Sequence, residues 1–274
     1  MTSMRWEVPA AIVAVAIGAG AVAAGAKSFA VDRARAANKS YLWERVADAL
    51  RPVNVTNCGL TRFGDANDGG YLVCGNLLSG AKSAYSYGIA GTDGWGCDVS
   101  HKLGLVVHEY DCFDLREPAC PGGHLVFHPE CIGPARTIED GRPFDSLMGQ
   151  FARNGDTGKR LLVKMDVEGA EWPTFLATPD DVLETFEQLI IELHRLDDMS
   201  YLRTIERLKK FFLIAHVHYN NNACDARMKP VEAWAVEVLF VNRRLAQTDW
   251  KPGAASPIRG LDAPNNPKLP DCQG

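Results

Sequence analysis

The sequence predicts an α/β protein with a doubly wound, seven-stranded sheet, preceded by a hydrophobic N-terminal helix. Short apolar runs alternate with helix-length segments between residues 84 and 241, which is typical of parallel strands joined by crossover helices. One run, residues 161–163, leads directly into the sequence Lys-Met-Asp-Val-Glu-Gly-Ala-Glu at 164–171. Two acids and a glycine therefore stand where a buried strand would end, the usual place for a ligand site in such a sheet. Residues 8–26 form an uncharged N-terminal segment.

The composition indicates one globular domain with an appendage. The chain has 274 residues, of which 46% are hydrophobic and 23% are charged. Its net charge of -5 offers no basic surface of the kind that nucleic-acid phosphates require. We therefore expect no nucleic-acid partner.

The eight cysteines show no Cys-x-x-Cys pair, which argues against zinc-ribbon and thioredoxin-like sites. Their even number permits disulfides in an oxidising compartment. For a chain of this size we favour the simpler prediction that they are small buried residues.

The N-terminal segment is predicted to be directed to a membrane. Residues 8–26 are long enough to span a ~30 Å hydrocarbon core, although Ala and Gly make them weakly hydrophobic. A signal peptide cleaved at the small residues 24–26 is the alternative. Basic residues follow the segment, and by the positive-inside rule they would keep the main domain of a single-pass anchor in the cytoplasm. The predicted regions are an anchor or signal at 1–31, a connecting helix at 32–54, a domain at 55–245 and a Pro/Gly-rich tail at 246–274.

The first half of the domain begins with a turn-rich stretch, residues 60–74, that predicts a β-hairpin or a loop over the sheet. A short strand at 84–87 enters a loop with four glycines, and a helix is predicted at 98–103. The glycines do not keep the Gly-x-Gly-x-x-Gly order of dinucleotide sites. The next strand, 105–111, ends in Asp111, whose carboxylate could accept hydrogen bonds from ribose hydroxyls.

The second half continues the alternation. A third strand at 124–128 precedes a loop at 129–133 that could pass an adenine ring. The later elements are a helix at 144–151, a fourth strand at 161–163, a fifth at 189–194, a helix at 201–210, a sixth strand at 211–218 and a seventh at 235–241. Beyond residue 242 the tail is predicted to be loop or disordered.

Polar residues two positions apart mark three strand ends: Asp166 with Glu168, Glu192 with His194, and His216 with His218. In an extended segment, such residues point to the same side. Asp166, Glu192 and His194 could hold Mg²⁺ or Mn²⁺ through oxygen and imidazole ligands. His194 or His218 could instead act as a general base, or each could be a hydrogen-bonded structural histidine.

These features together resemble the FkbM-type family of S-adenosylmethionine-dependent methyltransferases. The strongest match is the stretch 164–171, supported by 86–89, 109–111 and 128–133. The stretches Asp-Gly-Gly-Tyr at 68–71 and His-Tyr-Asn-Asn at 218–221 resemble the subgroup with an N-terminal membrane segment.

The resemblance implies a class I methyltransferase (Rossmann-like) sheet whose seventh strand is antiparallel to the others. It also implies S-adenosylmethionine as the cofactor, and methyl transfer that usually goes to oxygen. The residues expected to contact the cofactor are Gly88, Gly91, Asp93, Trp95, Asp111 and Ile132. The residues expected at the reacting groups are Asp166, Glu168, His194 and His218. The residues expected to contact the substrate are Asp68, Tyr71, Asn220 and Asn221.

The predicted function is therefore a membrane-tethered methyltransferase that acts on a hydroxyl of a sugar, a glycan or a small metabolite. One alternative is a metal-dependent hydrolase that uses the acids and histidines at the strand ends. It would not need the glycine loop or Asp111. A second alternative is a non-catalytic domain that binds a cofactor or a partner at the membrane.

Overall fold

The computed structural model of the chain describes residues 39–196, 199–254 and 256–272. It divides into two compact units, Met1–Leu42 and Trp43–Gly274, and the second unit contains every described strand. In chain order the strands are β1 (Val53–Val55), β2 (Leu60–Gly64), β3 (Gly70–Cys74), β4 (Ser83–Tyr87), β5 (Val107–Tyr110), β6 (Leu125–His128), β7 (Cys131–Ile132), β8 (Thr137–Glu139), β9 (Arg142–Asp145), β10 (Leu161–Met165), β11 (Phe186–His194), β12 (Phe212–Tyr219), β13 (Ala235–Asn242) and β14 (Thr248–Pro252). The α-helices are α1 (residues 39–50), α2 (Gly94–Leu103), α3 (Leu147–Arg153), α4 (Glu171–Ala177), α5 (Asp180–Leu183) and α6 (Met199–Leu208).

The central sheet has seven strands in the order β12-β13-β11-β10-β4-β5-β6. Strand β13 runs antiparallel to both of its neighbours, and the other pairs are parallel. Strands β4, β10 and β11 are buried at every position, as expected of central strands covered on both faces. This mixed α/β arrangement confirms the predicted seven-stranded sheet with its reversed strand, and it is consistent with a Rossmann-like methyltransferase fold.

The two faces of the sheet are packed differently because successive side chains of a strand point to opposite sides. On one face Tyr85, Tyr87, Tyr110 and His128 form a row of stacked rings. On the other face the sheet packs against helix α2 and the hairpin β2–β3, in a hydrophobic cluster that includes the fully buried Trp95. The hairpin confirms the prediction for residues 60–74.

Helix α2 begins at Gly94, four residues before the predicted start at residue 98. Asp93 explains the early start, because its side chain accepts a hydrogen bond from the backbone N–H of Gly96 at 2.8 Å and so caps the helix. The glycine loop is correspondingly shorter than predicted. The Asp65 carboxylate packs close to Gly94, 2.8 Å from where a Cβ atom would lie.

The segment between residues 131 and 153 differs from the prediction of one helix at 144–151. A small three-stranded sheet, β7-β9-β8, precedes helix α3. Phe144 belongs to strand β9, and the helix starts only after Ser146, whose hydroxyl accepts from the N–H of Gly149 at 3.2 Å. The strands are only two to four residues long, which leaves too little alternation for a sequence pattern to indicate them.

The C-terminal tail is folded against the domain. Most of it is irregular, in agreement with the predicted loop, but the alternative prediction of disorder was wrong, and Thr248–Pro252 forms a strand. Strand β14 pairs with β1. Further along the chain, the side-chain amide of Asn221 donates to the carbonyl oxygens of Asn266, Leu269 and Pro270 at 2.9, 3.1 and 3.3 Å. A single buried side chain thereby organises the last turns of the described chain.

All eight cysteines form disulfides, which corrects the prediction that they are simply small buried residues. The pairs are Cys58–Cys74, Cys97–Cys120, Cys112–Cys131 and Cys224–Cys272, with sequence separations of 16, 23, 19 and 48. These spacings follow no recognised short motif, so the sequence alone could not indicate the pairing. Closing loops of this size stabilises a fold by roughly 3–4 kcal/mol per bond in the chain-entropy account.

The predicted anchor or signal segment lies outside the described residues. Within the part of the chain that the structure describes, no helix is long and apolar enough to cross a membrane.

Candidate functional site

A cavity of about 390 Å³ lies at the C-terminal ends of β4, β5 and β10. Its volume falls within the range of small-molecule sites, and its position is where ligands bind in open α/β sheets. The walls are mostly apolar, and a few polar groups converge on them. Of the residues predicted to act at a site, the cavity is lined by Gly88, Asp111, Ile132, Asp166 and Glu168.

Gly88 brings the loop after β4 into contact with the motif after β10. Its φ of 72° is in the left-handed region, and a Cβ atom would overlap the carbonyl oxygen of Asp166. Lys164 reinforces the contact, because its ammonium group donates to the carbonyl oxygen of Gly88 at 2.8 Å. Glycine is therefore required where the cavity wall meets the acidic motif.

Asp111 organises the loop on the other side of the cavity. One carboxylate oxygen accepts from the backbone N–H groups of Ile89 and Ala90 at 3.1 and 2.9 Å. The second oxygen accepts from those of Phe113 and Asp114 at 2.8 and 3.1 Å. The carboxylate thus closes two chain segments around the cavity, and its predicted contact with a ribose stays a prediction.

Three residues predicted to contact the cofactor do not line the cavity. Gly91 lies against the side chain of Arg116. Asp93 caps helix α2, and Trp95 is fully buried in the hydrophobic cluster beneath that helix. The early start of α2 explains the positions of Asp93 and Trp95, which it places at the helix cap and in the core.

A disulfide that the sequence analysis did not anticipate joins the two loops that carry Asp111 and Ile132. Cys112 and Cys131 form this bond, and both residues line the cavity. The disulfide therefore fixes the width of the cavity between the ends of β5 and β6.

Asp166, Glu192 and His194 come together beside the cavity. Their nearest ligand atoms all lie within 4.8 Å of one another. The Nε2 atom of His194 is 3.7 Å from Asp166 Oδ1 and 3.7 Å from Glu192 Oε1. It is also 3.7 Å from Glu168 Oε2. Asp166 lines the cavity, whereas Glu192 and His194 are each only 3% exposed behind it.

Each of the three residues is held by a further side chain. The Tyr71 hydroxyl donates to Asp166 Oδ2 at 3.1 Å, and the amide of Asn220 donates to Glu192 Oε1 at 2.8 Å. Glu171 Oε1 accepts from the backbone N–H of His194 at 2.8 Å and lies 3.2 Å from its Nδ1 atom. Tyr71, predicted to bind substrate, thus contacts the catalytic candidate Asp166, and Asn220, also predicted to bind substrate, contacts the predicted metal ligand Glu192.

Glu171 is a site residue to which the sequence analysis assigned no catalytic or binding role, although it is the last of the three acids in the stretch 164–171. It is fully buried at the start of helix α4. Its position three residues after Glu168, on the first turn of a helix that follows a strand end, was the available signal.

Burial is the largest influence on the pKa values of these groups. It raises the pKa of Asp166, although Lys164 and His194 act in the opposite direction. Burial and the neighbouring charge of Asp166 raise the pKa of Glu192 well above its usual range. For His194, burial acts to lower the pKa, but the hydrogen bond and the charge of Glu171 outweigh it, so the pKa is raised. The cluster concentrates negative charge that a proton or a cation would stabilise.

The remaining predicted residues belong to an adjoining network rather than to this cluster. Asn265, from the tail, donates to Glu237 Oε1 at 2.7 Å and to Asp68 Oδ1 at 3.2 Å. His218 Nδ1 lies 3.1 Å from Glu237 Oε2. Asn221 binds tail carbonyl groups, so its contacts in the described chain are structural. Asn265 had been missed because the tail was not expected to fold.

No family model and no curated protein matches the chain. Among solved structures, a chain from the crystal structure of a fibrillarin/Nop5p complex is similar, with 9% sequence identity and a TM-score of 0.36. The match covers 70% of this chain and 98% of that chain. At these values the likeness assigns neither an activity nor a partner, and membership of the FkbM-type family stays a prediction.

Proposed function

We propose that the protein is an S-adenosylmethionine-dependent methyltransferase that methylates a hydroxyl group of a sugar, a glycan or a small metabolite. The observation that carries the proposal is the cavity at the ends of β4, β5 and β10, whose wall at Asp166 adjoins a buried cluster of acids and a histidine. The order of the sheet, with its reversed strand β13, supports the same proposal.

The lining of the cavity fits the proposed cofactor. Tyr87 and Tyr110 provide aromatic walls, Ile132 provides an apolar contact for a purine ring, and the loop at Gly88 presents backbone close to the space. Asp114, which also lines the cavity, is a second candidate for the ribose hydroxyls, and its carboxylate is held in place by Arg116. When bound, the cofactor supplies an electrophilic methyl group on a sulfonium ion.

The chain's own contribution is to position an acceptor hydroxyl and to remove its proton. Alignment of the two reacting groups accounts for much of the rate in a displacement of this kind. Asp166 is the residue best placed to receive the proton, because its side chain is 23% exposed while that of His194 is 3% exposed. Before the transfer, His194, held by Glu171, stabilises the ionised carboxylate of Asp166, and the proton then resides on that carboxylate. A divalent ion at the same residues would lower the pKa of the hydroxyl instead.

Calorimetric titration of the full chain with S-adenosylmethionine and with its demethylated product tests the proposal. We expect both to bind, and we expect Asp111→Ala to weaken binding at least about tenfold, because the loops on both sides of the cavity lose their shared anchor. Asp181→Ala, at an exposed acid on α5, is the matched control. Failure of both ligands to bind the wild-type protein would exclude the proposed function.

A metal-dependent hydrolase is the second candidate, and the grouping of Asp166, Glu192 and His194 is the observation that favours it. Incubation with ester and phosphoester substrates separates the candidates. The hydrolase would turn them over with a metal ion alone and without S-adenosylmethionine. The methyltransferase would transfer a labelled methyl group only when S-adenosylmethionine is supplied. The non-catalytic alternative would do neither.

We propose further that the domain functions in an oxidising compartment. Four disulfides support this location, since such bonds rarely persist in the cytosol. The disulfides favour export of the domain, whereas the basic residues after the N-terminal segment predict a cytoplasmic location. Attachment to a membrane stays a prediction. Thiol labelling of protein isolated from its native source, without reductant, should find every cysteine blocked. Eight free thiols would support the cytoplasmic location instead.

A further inference from the structure

We propose that Asp166, Glu192 and His194 bind one divalent cation of the Mg²⁺ or Mn²⁺ type at the edge of the cavity, where it would contact the acceptor hydroxyl. The inference rests on the proposed function only for the identity of that acceptor. The cation site itself is argued from the residues.

The separations of the donor atoms fit one ion. Ligands at ~2.1 Å from an octahedral ion are about 3.0 Å apart when adjacent and about 4.2 Å apart when opposite. The distances from His194 Nε2 to the oxygens of Asp166 and Glu192, both 3.7 Å, exceed the adjacent value by about 0.7 Å, so each atom would move inward by a few tenths of an ångström when an ion binds. The largest separation, within 4.8 Å, needs a shift of only a few tenths of an ångström per atom.

His194 supplies an independent observation. It is 3% exposed, and its Nδ1 atom is engaged by Glu171 at 3.2 Å. The opposite nitrogen, Nε2, makes no hydrogen bond within the described part of the chain, and it faces three carboxylates at 3.7 Å. A carboxylate that binds one imidazole nitrogen while the other faces a set of oxygens is the usual support of a histidine ligand.

The two carboxylates have support of the same kind. The Tyr71 hydroxyl binds Asp166 Oδ2, which leaves Oδ1 directed toward His194. The Asn220 amide fixes Glu192 Oε1 on the same side. Every proposed ligand thus has a partner outside the ligand set. An arrangement of this kind holds ligands in place before an ion binds.

The donors select the type of ion. Two carboxylates and one imidazole suit Mg²⁺ or Mn²⁺, and three protein ligands leave up to three of six positions for water or for an acceptor oxygen. Thiolate ligands are excluded, because all cysteines form disulfides. For the same reason Cys97, His101 and Cys120, which also lie together, do not form a second metal site: the two cysteines are bonded to each other.

The test is a calorimetric titration of Mn²⁺ into the chelator-treated full chain in the absence of S-adenosylmethionine. We expect one site per chain. Glu192→Gln and His194→Gln should weaken it more than about 100-fold, and Asn220→Ala should weaken it about 10- to 100-fold. The matched control is Glu184→Gln, which removes an exposed carboxylate just before the start of β11 and should leave binding unchanged.

Pulsed electron paramagnetic resonance of the bound Mn²⁺ provides a second readout. We expect nitrogen coupling from an imidazole in the wild-type protein and in Asn220→Ala, and none in His194→Gln. Mn²⁺ binding that is absent from the wild-type protein, or equally strong in Glu192→Gln, would overturn the proposal. Thermal unfolding of each variant shows whether a loss of Mn²⁺ binding is caused by a loss of fold. If the ligand variants are unfolded, the Mn²⁺ affinity of Asn220→Ala tests the proposal, and an affinity equal to that of the wild type would overturn it.

The outcomes for this site and for the proposed function are distinguishable. Mn²⁺ binding without any binding of S-adenosylmethionine would keep the cation site and exclude the methyltransferase. If the wild-type protein binds S-adenosylmethionine but does not bind Mn²⁺, the methyltransferase proposal stands and the cation site is overturned.

Discussion

Removal of the Cys224–Cys272 disulfide should destabilise the domain by about 4 kcal/mol. The bond closes a segment with a sequence separation of 48, the longest of the four. In the chain-entropy account, a loop of this length restricts the unfolded chain by about 14 cal/mol/K, which is about 4 kcal/mol at 25 °C. The double variant Cys224→Ser/Cys272→Ser removes this restriction without changing side-chain volume greatly.

Equilibrium unfolding in urea, monitored by tryptophan fluorescence, measures the change through the transition midpoint at an unchanged slope. The matched control is Cys58→Ser/Cys74→Ser, whose sequence separation of 16 gives about 3 kcal/mol by the same relation. We therefore expect the Cys224/Cys272 variant to be the less stable by about 1 kcal/mol. A loss below about 1 kcal/mol for that variant would refute the reasoning, since the tail would then be held by hydrogen bonds alone.

Three further predictions concern single residues. Burial lowers the pKa of His128 to about 4, so the folded state favours the neutral imidazole. The resulting contribution to the free energy of unfolding is fully present above pH ~6.5, the unfolded value, and is lost as the pH falls toward 4. Unfolding measured across this range should show a loss of about 2 kcal/mol after discounting for partial exposure, and His128→Asn should reduce that dependence. Asn265→Asp should lower the thermal midpoint by the equivalent of about 3 kcal/mol, because two hydrogen bonds to carboxylates become repulsions. Asn266→Asp, at a half-buried amide that donates to the neutral Asn222, should cost under about 1 kcal/mol, and equal effects of the two changes would contradict this. Gly88→Ala should lower the free energy of unfolding by at least about 1–2 kcal/mol, because its φ is in the left-handed region and a Cβ atom would overlap the Asp166 carbonyl oxygen. The same change should weaken S-adenosylmethionine binding in calorimetry. A variant as stable as the wild type would show that the contact with Asp166 is not tight.

The central sheet could be predicted because its strands carry their own signal. Residues 161–165 and 186–194 are buried at every position. Each contains a continuous apolar run, at 161–163 and at 189–191, and these runs are the local signal that indicated the two strands. Helix boundaries were less predictable. The start of α2 depends on one capping bond from Asp93 in a glycine-rich stretch, which is equally compatible with an open loop.

The disulfides and the folded tail could not be predicted from local pattern. Cys224 and Cys272 are brought together by the fold, and no spacing rule joins residues 48 positions apart. The tail is rich in proline and glycine, as disordered segments are. It is ordered because the buried amide of Asn221 binds three of its carbonyl groups, an interaction between distant parts of the chain.

The order of the strands decides which of the three polar pairs form one site. Asp166 follows β10, and Glu192 and His194 end β11; these strands are direct neighbours, so their ends meet. His218 lies on β12, which is separated from β11 by the whole width of β13. It therefore pairs with Glu237 on β13 rather than with the cluster. The spacing of residues in the sequence is the same for all three pairs, and it could not distinguish them. The insertion of the antiparallel β13 between β11 and β12 is therefore what separates His216 and His218 from the proposed cation site.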